Sequence, residues 1–227
     1  MSRFSNLVPA GLLACTALAG CRSTDDTQEA SIRSADAQAM EATAPQEGLP
    51  PGMTEEDMKM MQQCIEAGTP GEMHAFLAQG AGTWQGENTM WMMPGAEPMK
   101  TTCKADVEAI MDGRYVKYEY SGEMPGMGTF NGMALYGFDN VSKKFACTWI
   151  DSMSTGLMNG TGDLSADKKT LTWTFTYNDP ITKKPATMRE IERITGDNTR
   201  TLDMFGKDPK SGVEYQMMHM EFTRRSN

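Results

Sequence analysis

The chain has few of the residues that most often carry catalysis, and it has no long hydrophobic segment. Its 227 residues include two histidines, His74 and His219, and neither a Ser-His-Asp arrangement nor a His-Glu-x-x-His zinc motif can be written with them. No apolar run approaches the ~20 residues of a membrane-spanning helix. Lys and Arg number 21 against 30 Asp and Glu, for a formal charge of −9. This acidic balance argues against a nucleic-acid binder, which needs a basic surface. The absence of both histidine motifs disfavours an enzyme.

The N-terminus has the pattern of an export signal. Arg3 is the only charge before a mostly apolar stretch, residues 7–19, which has the length of a signal-peptide core. Residues 18–21 read LAGC, which resembles the bacterial lipobox, where the cysteine thiol receives a diacylglyceryl group and the chain is cut just before it. We therefore predict a lipoprotein signal peptide over residues 1–20 and lipidation of Cys21. Ordinary secretion is the alternative, because residues 17–19 also satisfy the small-residue cleavage rule.

Lipidation at Cys21 would place the protein in a bacterial cell envelope, held to a membrane by its acyl chains. Arg22 follows the cysteine, and no aspartate stands at that position. By resemblance to Gram-negative sorting rules, this favours the outer membrane, facing the periplasm. Residues 21–52 are rich in small, polar and proline residues and contain no aromatic residue, which predicts a flexible tether.

A short helical segment is predicted next, over residues 53–80. Thr54 followed by three acidic residues is typical of a helix start, because acidic side chains favour the positive end of the helix dipole. A second short helix is predicted from Gly71 to Leu77.

From residue 81 to residue 227 the hydrophobic pattern has period two. It is clearest at residues 170–177, where Leu171, Trp173, Phe175 and Tyr177 alternate with threonines. Ten short strands separated by turn residues predict a single antiparallel meander in an all-β fold. Closure into a barrel would hide the edge strands, so we predict a β-barrel, with a β-sandwich as the alternative.

Several short motifs occur in an order found in one bacterial family. The chain resembles the domain of unknown function 1579 family over roughly residues 72–225. The resemblance rests on residues 82–84 (GTW), 91–94 (WMMP), 112–115 (DGRY), 136–140 (YGFDN), 148–152 (TWIDS), 154–156 (STG), 179–180 (DP) and 189–190 (RE). The family's activity is unassigned. A lipocalin-like or fatty-acid-binding-like barrel is expected by architectural analogy, which does not establish function.

A barrel of eight to ten strands often encloses one small apolar molecule. The candidate ligand-binding residues are Tyr118, Tyr120, Trp149, Asp151 and Trp173, with Trp149 as a wall and Asp151 as a polar anchor. Two arginines complete the set, because a guanidinium can bind a buried carboxylate through two parallel hydrogen bonds. These are Arg114 and Arg189, which could instead pair with Asp151, Glu190 or Glu192 at the barrel rim.

Methionine is unusually abundant, with 22 residues. Residues 217–220 (MMHM) and 90–93 (MWMM) resemble the thioether clusters that bind Cu(I). On a regular strand, however, Met217 faces away from Met218 and Met220, so one cluster could not direct all its sulfurs to one ion. Methionine also packs adaptably, and a malleable core or pocket lining is the favoured explanation. No metal ligand is therefore assigned.

The mature domain retains Cys64, Cys103 and Cys147, which allow one disulfide in any of three pairings. The sequence does not select among them.

The function predicted from the sequence is non-catalytic binding of a small, partly apolar or anionic-apolar ligand in the barrel, without a cofactor. A filled barrel axis would exclude it. The alternatives are a structural module that contacts an envelope protein and, less favoured, Cu(I) handling.

Overall fold

The computed structural model describes residues 53–225. The predicted signal peptide, Cys21 and the tether lie outside these residues. Within them, no helix has both the length and the apolar character required to cross a bilayer.

Two helices precede the sheet, as predicted. Helix α1 spans Glu55–Gly68 and helix α2 spans Glu72–Ala78. Thr54 caps α1, with its hydroxyl accepting from the Asp57 backbone N–H at 3.2 Å while the Asp57 carboxylate accepts from the Thr54 backbone N–H at 2.8 Å. This reciprocal pair satisfies two N–H groups that have no partner within the helix. No residue of α1 is buried, whereas His74 and Leu77 of α2 are.

The rest of the described chain forms ten strands in one antiparallel meander. Their bounds are β1 Gly82–Met90, β2 Met99–Ile110, β3 Tyr115–Met124, β4 Gly128–Asp139, β5 Lys144–Asp151, β6 Met158–Leu164, β7 Thr170–Asn178, β8 Pro185–Gly196, β9 Thr199–Lys207 and β10 Glu214–Arg224. Each strand pairs with its neighbour in sequence, and β1 pairs with β10, which closes the barrel. The predicted all-β barrel is confirmed, and the sandwich alternative is wrong because pairing continues through β1 and β10 and leaves no sheet edge.

The alternation of side chains sets which face of each strand lines the barrel. On β7, Leu171, Trp173 and Phe175 are buried, and the Trp173 side chain has no solvent exposure. Gly162, directly opposite on β6, makes room for it, since a Cβ there would lie 2.7 Å from the indole ring. The predicted inward face of β7 is confirmed.

The two ends of the barrel are closed differently. Helix α2 packs across one end, where Phe76 meets Phe145 with ring centroids 6.0 Å apart and His74 meets Phe138 at 5.9 Å. Five loops surround the opposite end, and they are the connections β1–β2, β3–β4, β5–β6, β7–β8 and β9–β10. An antiparallel meander places alternate connections at opposite ends, so α2 and these five loops are separated by the length of the barrel.

The β2–β3 turn is longer than its sequence suggests. An Asp-Gly pair such as Asp112–Gly113 is typical of a two-residue hairpin turn, but four residues, 111–114, connect the strands. Met111, Asp112 and Gly113 all have positive φ, at 51°, 55° and 79°. Three consecutive left-handed residues reverse the chain more gradually than a two-residue turn does.

Candidate functional site

The barrel axis is not filled. A cavity of about 360 Å³ lies toward the end opposite α2, where Met90 ends β1, Met124 ends β3 and Met158 begins β6. Its wall is mainly apolar and includes aromatic rings from four strands, at Tyr120, Phe130, Trp149, Phe175 and Tyr177. Eight methionines also line it, at positions 90, 124, 158, 188, 204, 217, 218 and 220.

A β-bulge on β10 brings three of these methionines to the cavity wall. The register between β10 and β9 shifts between Gln216 and Met218, so Met217 is an extra residue in its strand. An extra residue interrupts the alternation of side chains between the two faces. Met217, Met218 and Met220 therefore all line the cavity, and the expectation from regular alternation that Met217 faces away from the other two is wrong.

A polar layer forms the floor of the cavity. The Glu192 carboxylate accepts a hydrogen bond from Trp173 Nε1 at 2.8 Å and one from the Tyr136 hydroxyl at 3.1 Å. Arg200 lines two small cavities of about 20 and 30 Å³ together with Glu192. Burial raises the pKa of Glu192, and the hydrogen bond from Trp173 and the positive charge of Arg200 limit this rise. The Glu192 carboxylate is thus supported by two hydrogen bonds and one neighbouring cation.

Glu190 lies two residues earlier on the same inward face of β8. Its side chain lines the cavity and is 4% exposed, and its Oε1 atom has no hydrogen-bond partner among the described residues. Burial and the nearby Glu192 charge raise the pKa of Glu190 well above its ordinary value. A buried carboxyl in this setting is favoured in its neutral form.

Three of the sequence-predicted residues lie together at the cavity. Tyr120 and Trp149 face each other with ring centroids 5.4 Å apart, and Trp149 Nε1 donates to Asp151 Oδ2 at 2.8 Å. The other Asp151 oxygen accepts from the Met153 backbone N–H at 2.8 Å. Asp151 therefore orients the Trp149 ring at the cavity wall and holds the start of the β5–β6 loop.

Tyr118 and Trp173 are buried inside the barrel but lie beyond the cavity. Trp173 packs against Tyr136 with ring centroids 5.1 Å apart, and Tyr136 packs against Tyr118 at 4.7 Å. These three rings form a packed aromatic layer between the cavity and the end covered by α2.

The structure places both candidate arginines outside the cavity, contrary to the sequence-based proposal. Arg114 precedes β3, and its Nε donates to the Gly68 backbone carbonyl at the end of α1, at 3.0 Å. Arg189 is on the outer face of β8, where it pairs with Glu214 at 3.1 Å and stacks 4.1 Å above the Phe205 ring. Neither guanidinium can reach a ligand inside the barrel.

The buried carboxyls of Glu190 and Glu192 were missed as site residues. The sequence alone favours the odd-numbered residues of this strand as the inward set, because Arg189 shares its face with the apolar Ile191. The available signal was the even-numbered set Met188, Glu190, Glu192 and Ile194, which shares the inward face. Pairing with β7 settles the orientation, because Glu190 lies opposite the fully buried Trp173.

The three cysteines of the described residues are all unpaired. Cys64 is exposed on α1, while Cys103 and Cys147 line the cavity. Burial raises the pKa of the Cys103 thiol to about 11, and burial also raises the pKa of Cys147. Both cavity cysteines are therefore neutral thiols, which act as small apolar wall residues. Among the described residues, no three His, Cys, Asp or Glu side chains are gathered closely enough to hold a metal ion.

The loops around the open end carry exposed apolar side chains. Each of the five connections at this end contributes at least one; the set is Met92, Met93, Met127, Met153, Leu157, Ile181 and Val213. An apolar molecule approaching the cavity would meet an apolar entrance.

The fold and the cavity define a class of protein: a closed, ten-stranded antiparallel β-barrel with one helix-covered end and an internal apolar chamber. The family model described as "Protein of unknown function (DUF1579)" matches residues 69–224. The chain belongs to this family, as its motifs predicted.

Known proteins add information on the fold alone. The crystal structure of Rv2717c from M. tuberculosis is similar, with a TM-score of 0.54 and 10% sequence identity, over 70% of this chain and 100% of that chain. No curated protein matches the chain.

Proposed function

We propose that this protein binds a small, mostly apolar molecule inside its barrel, without catalysing a reaction. The observation that carries the proposal is the cavity of about 360 Å³ with its wall of methionines and aromatic rings. Ligand sites in proteins are commonly concave, mostly apolar and about 300–1,000 Å³ in volume. Flexible thioether side chains suit a chamber whose wall must adapt to its occupant.

The proposal is tested by titration with N-phenylnaphthylamine, a neutral apolar fluorophore whose emission rises in apolar surroundings. We expect saturable binding of one dye molecule per chain. Met204→Trp, on the cavity wall, should fill part of the chamber and weaken binding at least about tenfold, or about 1.4 kcal/mol. Met133→Trp is the matched control, because Met133 is on β4 but is 36% exposed and does not line the cavity. Equal weakening by both substitutions, or no saturable binding by the wild type, would refute the proposal.

A second candidate function is binding of a soft metal ion such as Cu(I). It is favoured by the β-bulge, which brings the thioethers of Met217, Met218 and Met220 to one cavity. Soft sulfur donors select soft ions. Titration calorimetry with Ag(I), a redox-stable substitute, in a Cys64→Ser background that removes the exposed thiol, should then saturate at one ion per chain and weaken strongly in Met218→Leu. Met133→Leu should have no effect, and non-saturating heats would end this candidate.

We also propose that the mature chain is anchored to a bacterial envelope membrane through Cys21. The LAGC pattern at residues 18–21 supports this proposal. Intact mass spectrometry of protein from detergent-solubilised membranes should show a chain that begins at Cys21 and carries acyl mass. Cys21→Ala should move the protein to the soluble fraction, and unchanged membrane association of that variant would contradict lipid anchoring.

A further inference from the structure

The acidic and basic side chains of the cavity wall are all carboxylic acids. They are Glu123, Asp151 and Glu190, and no Lys, Arg or His lines the cavity among the described residues. Such a wall offers a carboxylate no cationic partner, and the placement of Arg114 and Arg189 outside the barrel removes the two groups that could have bound one. The wall is complementary to a ligand with positive charge.

The three carboxyl groups differ in how much hydrogen-bonding capacity they have left. Glu123 is exposed at the rim and accepts from Thr129 Oγ1 at 2.8 Å, and both Asp151 oxygens are occupied. Glu190 is buried, and its Oε1 has no partner within residues 53–225. A buried acceptor without a partner is costly, so its occurrence calls for an explanation such as an absent ligand.

The distribution of charge inside the barrel also indicates Glu190 as the ligand-binding group. Glu192 is matched by Arg200 and by the Trp173 and Tyr136 hydrogen bonds. Glu190 has no such neighbouring cation among the described residues. The two glutamate carboxyls, Glu190 and Glu192, therefore have one arginine, Arg200, between them. Aromatic rings at Tyr120 and Phe175 line the same chamber, and aromatic faces attract cations.

We propose that the ligand is an apolar amine, whose ammonium group donates to Glu190 Oε1 while its apolar body occupies the methionine-lined chamber. This inference rests on the proposed function and names the chemical class of the ligand. Asn88 offers a second acceptor on the wall: its Nδ2 donates to Thr101 at 3.3 Å, but its Oδ1 has no partner in the described part of the chain.

Binding of the amine is expected to change the protonation state of Glu190. In the unliganded protein, burial and the nearby Glu192 charge raise the pKa of Glu190 and so favour its neutral acid form. An alkylammonium has a pKa near that of lysine, about 10.4, so it arrives charged at neutral pH. On binding, Glu190 loses its proton to the buffer and forms an ion pair with the ammonium group. One proton is therefore released per ligand bound.

The test compares three probes with the same ten-carbon chain: decylamine, decanol and decanoic acid. Each competes with N-phenylnaphthylamine for wild-type protein and for Glu190→Gln, which retains the side-chain shape but cannot ionise. We expect the wild type to bind decylamine at least about tenfold more tightly than decanoic acid. Glu190→Gln should lose this preference while its affinity for decanol stays within about threefold. Calorimetry in two buffers of different ionisation enthalpy should show about one proton released with decylamine, and none in Glu190→Gln.

Glu87→Gln is the matched control. Glu87 lies on the exposed outer face of β1, so its substitution also replaces a carboxyl with an amide but does not touch the cavity, and it should preserve the preference for decylamine. Binding of decanoic acid or decanol as tight as that of decylamine would overturn the inference and leave the proposed function intact. A preference unchanged in Glu190→Gln would also overturn it. If neither the dye nor any probe binds, the proposed function itself fails.

Discussion

Replacing Glu190 with glutamine should make the free energy of unfolding less sensitive to pH. Glu190 is buried, and the nearby Glu192 charge adds to burial in raising its pKa well above the ordinary value of about 4.3. In the pH range between the unfolded and folded pKa values, the folded state holds one more proton than the unfolded state. Stability therefore falls as pH rises through this range, by up to about 1.4 kcal/mol per pH unit. The glutamine in Glu190→Gln cannot titrate, so the variant does not show this decrease in the free energy of unfolding as pH rises.

The groups that face the glutamate pair do not interfere. Tyr120 and Tyr136 approach from β3 and β4, and Cys147 approaches from β5. Burial raises the pKa of all three, so they stay protonated throughout the range in which Glu190 titrates. Charge pairs elsewhere in the protein contribute equally to both variants and cancel in their difference.

The assay is urea unfolding of the wild type and Glu190→Gln, without ligand, at several values between about pH 5 and about pH 8. The stability of the variant minus that of the wild type should increase with pH over this interval. Glu87→Gln, which removes an exposed carboxylate, should give a difference that is nearly constant. A flat difference for Glu190→Gln would mean that its carboxyl titrates normally, and would refute both the buried neutral acid and the proton release proposed on amine binding.

Three other predictions concern packing, the cavity floor and thiol reactivity. Gly162→Ala should lower the free energy of unfolding by about 1–3 kcal/mol in urea, because the new Cβ would lie 2.7 Å from the immobile Trp173 ring. Tyr136→Phe should lower it by about 1.5–3 kcal/mol in the same assay, because the Glu192 carboxylate loses the hydrogen bond that it accepts at 3.1 Å. Exposed Cys64 should be the only one of the three described cysteines to react with iodoacetamide in the native protein, as measured by mass spectrometry.

The two stability predictions each have a matched comparison. Gly156→Ala has no atom within 4 Å of its new Cβ, and Tyr115→Phe alters a ring that is 40% exposed. Both should stay within about 0.5 kcal/mol of the wild type. A Gly162→Ala or Tyr136→Phe loss no larger than these would contradict the packing described. Rapid labelling of Cys103 in native protein would contradict its raised pKa and burial.

Local sequence pattern was sufficient for the architecture. Leu171, Trp173, Phe175 and Tyr177 alternate with polar residues, and a strand buried on one face requires this period of two. Thr54 and the acidic residues that follow it mark the first helix because they satisfy N–H groups within one turn. These patterns involve residues that are close together in the chain, so they can be recognised without the tertiary structure. Ten such strands with short connections then leave closure as the way to pair every edge.

The candidate site was predicted only in part, for a physical reason. Tyr120 and Trp149 were identified because aromatic residues in an alternating strand tend to face inward, and Asp151 was identified as a polar anchor beside Trp149. Arg189 and Glu190 are adjacent in the chain and necessarily face opposite sides, and their own sequence does not say which of them is inside. Ile191 suggested one orientation, and pairing with β7 imposed the other, since Glu190 lies opposite the buried Trp173.

The sequence by itself determined the all-β class, the meander order, the helix start and the family. Each depends on contacts between residues near one another in the chain or on motifs read in order. The tertiary structure decided which charges are enclosed, because enclosure depends on a strand's register against its neighbours. It also decided that the bulge at Met217 directs three sulfurs into one chamber. Closure of the barrel thus brings residues that are dispersed along the chain together around one methionine-rich, acidic cavity.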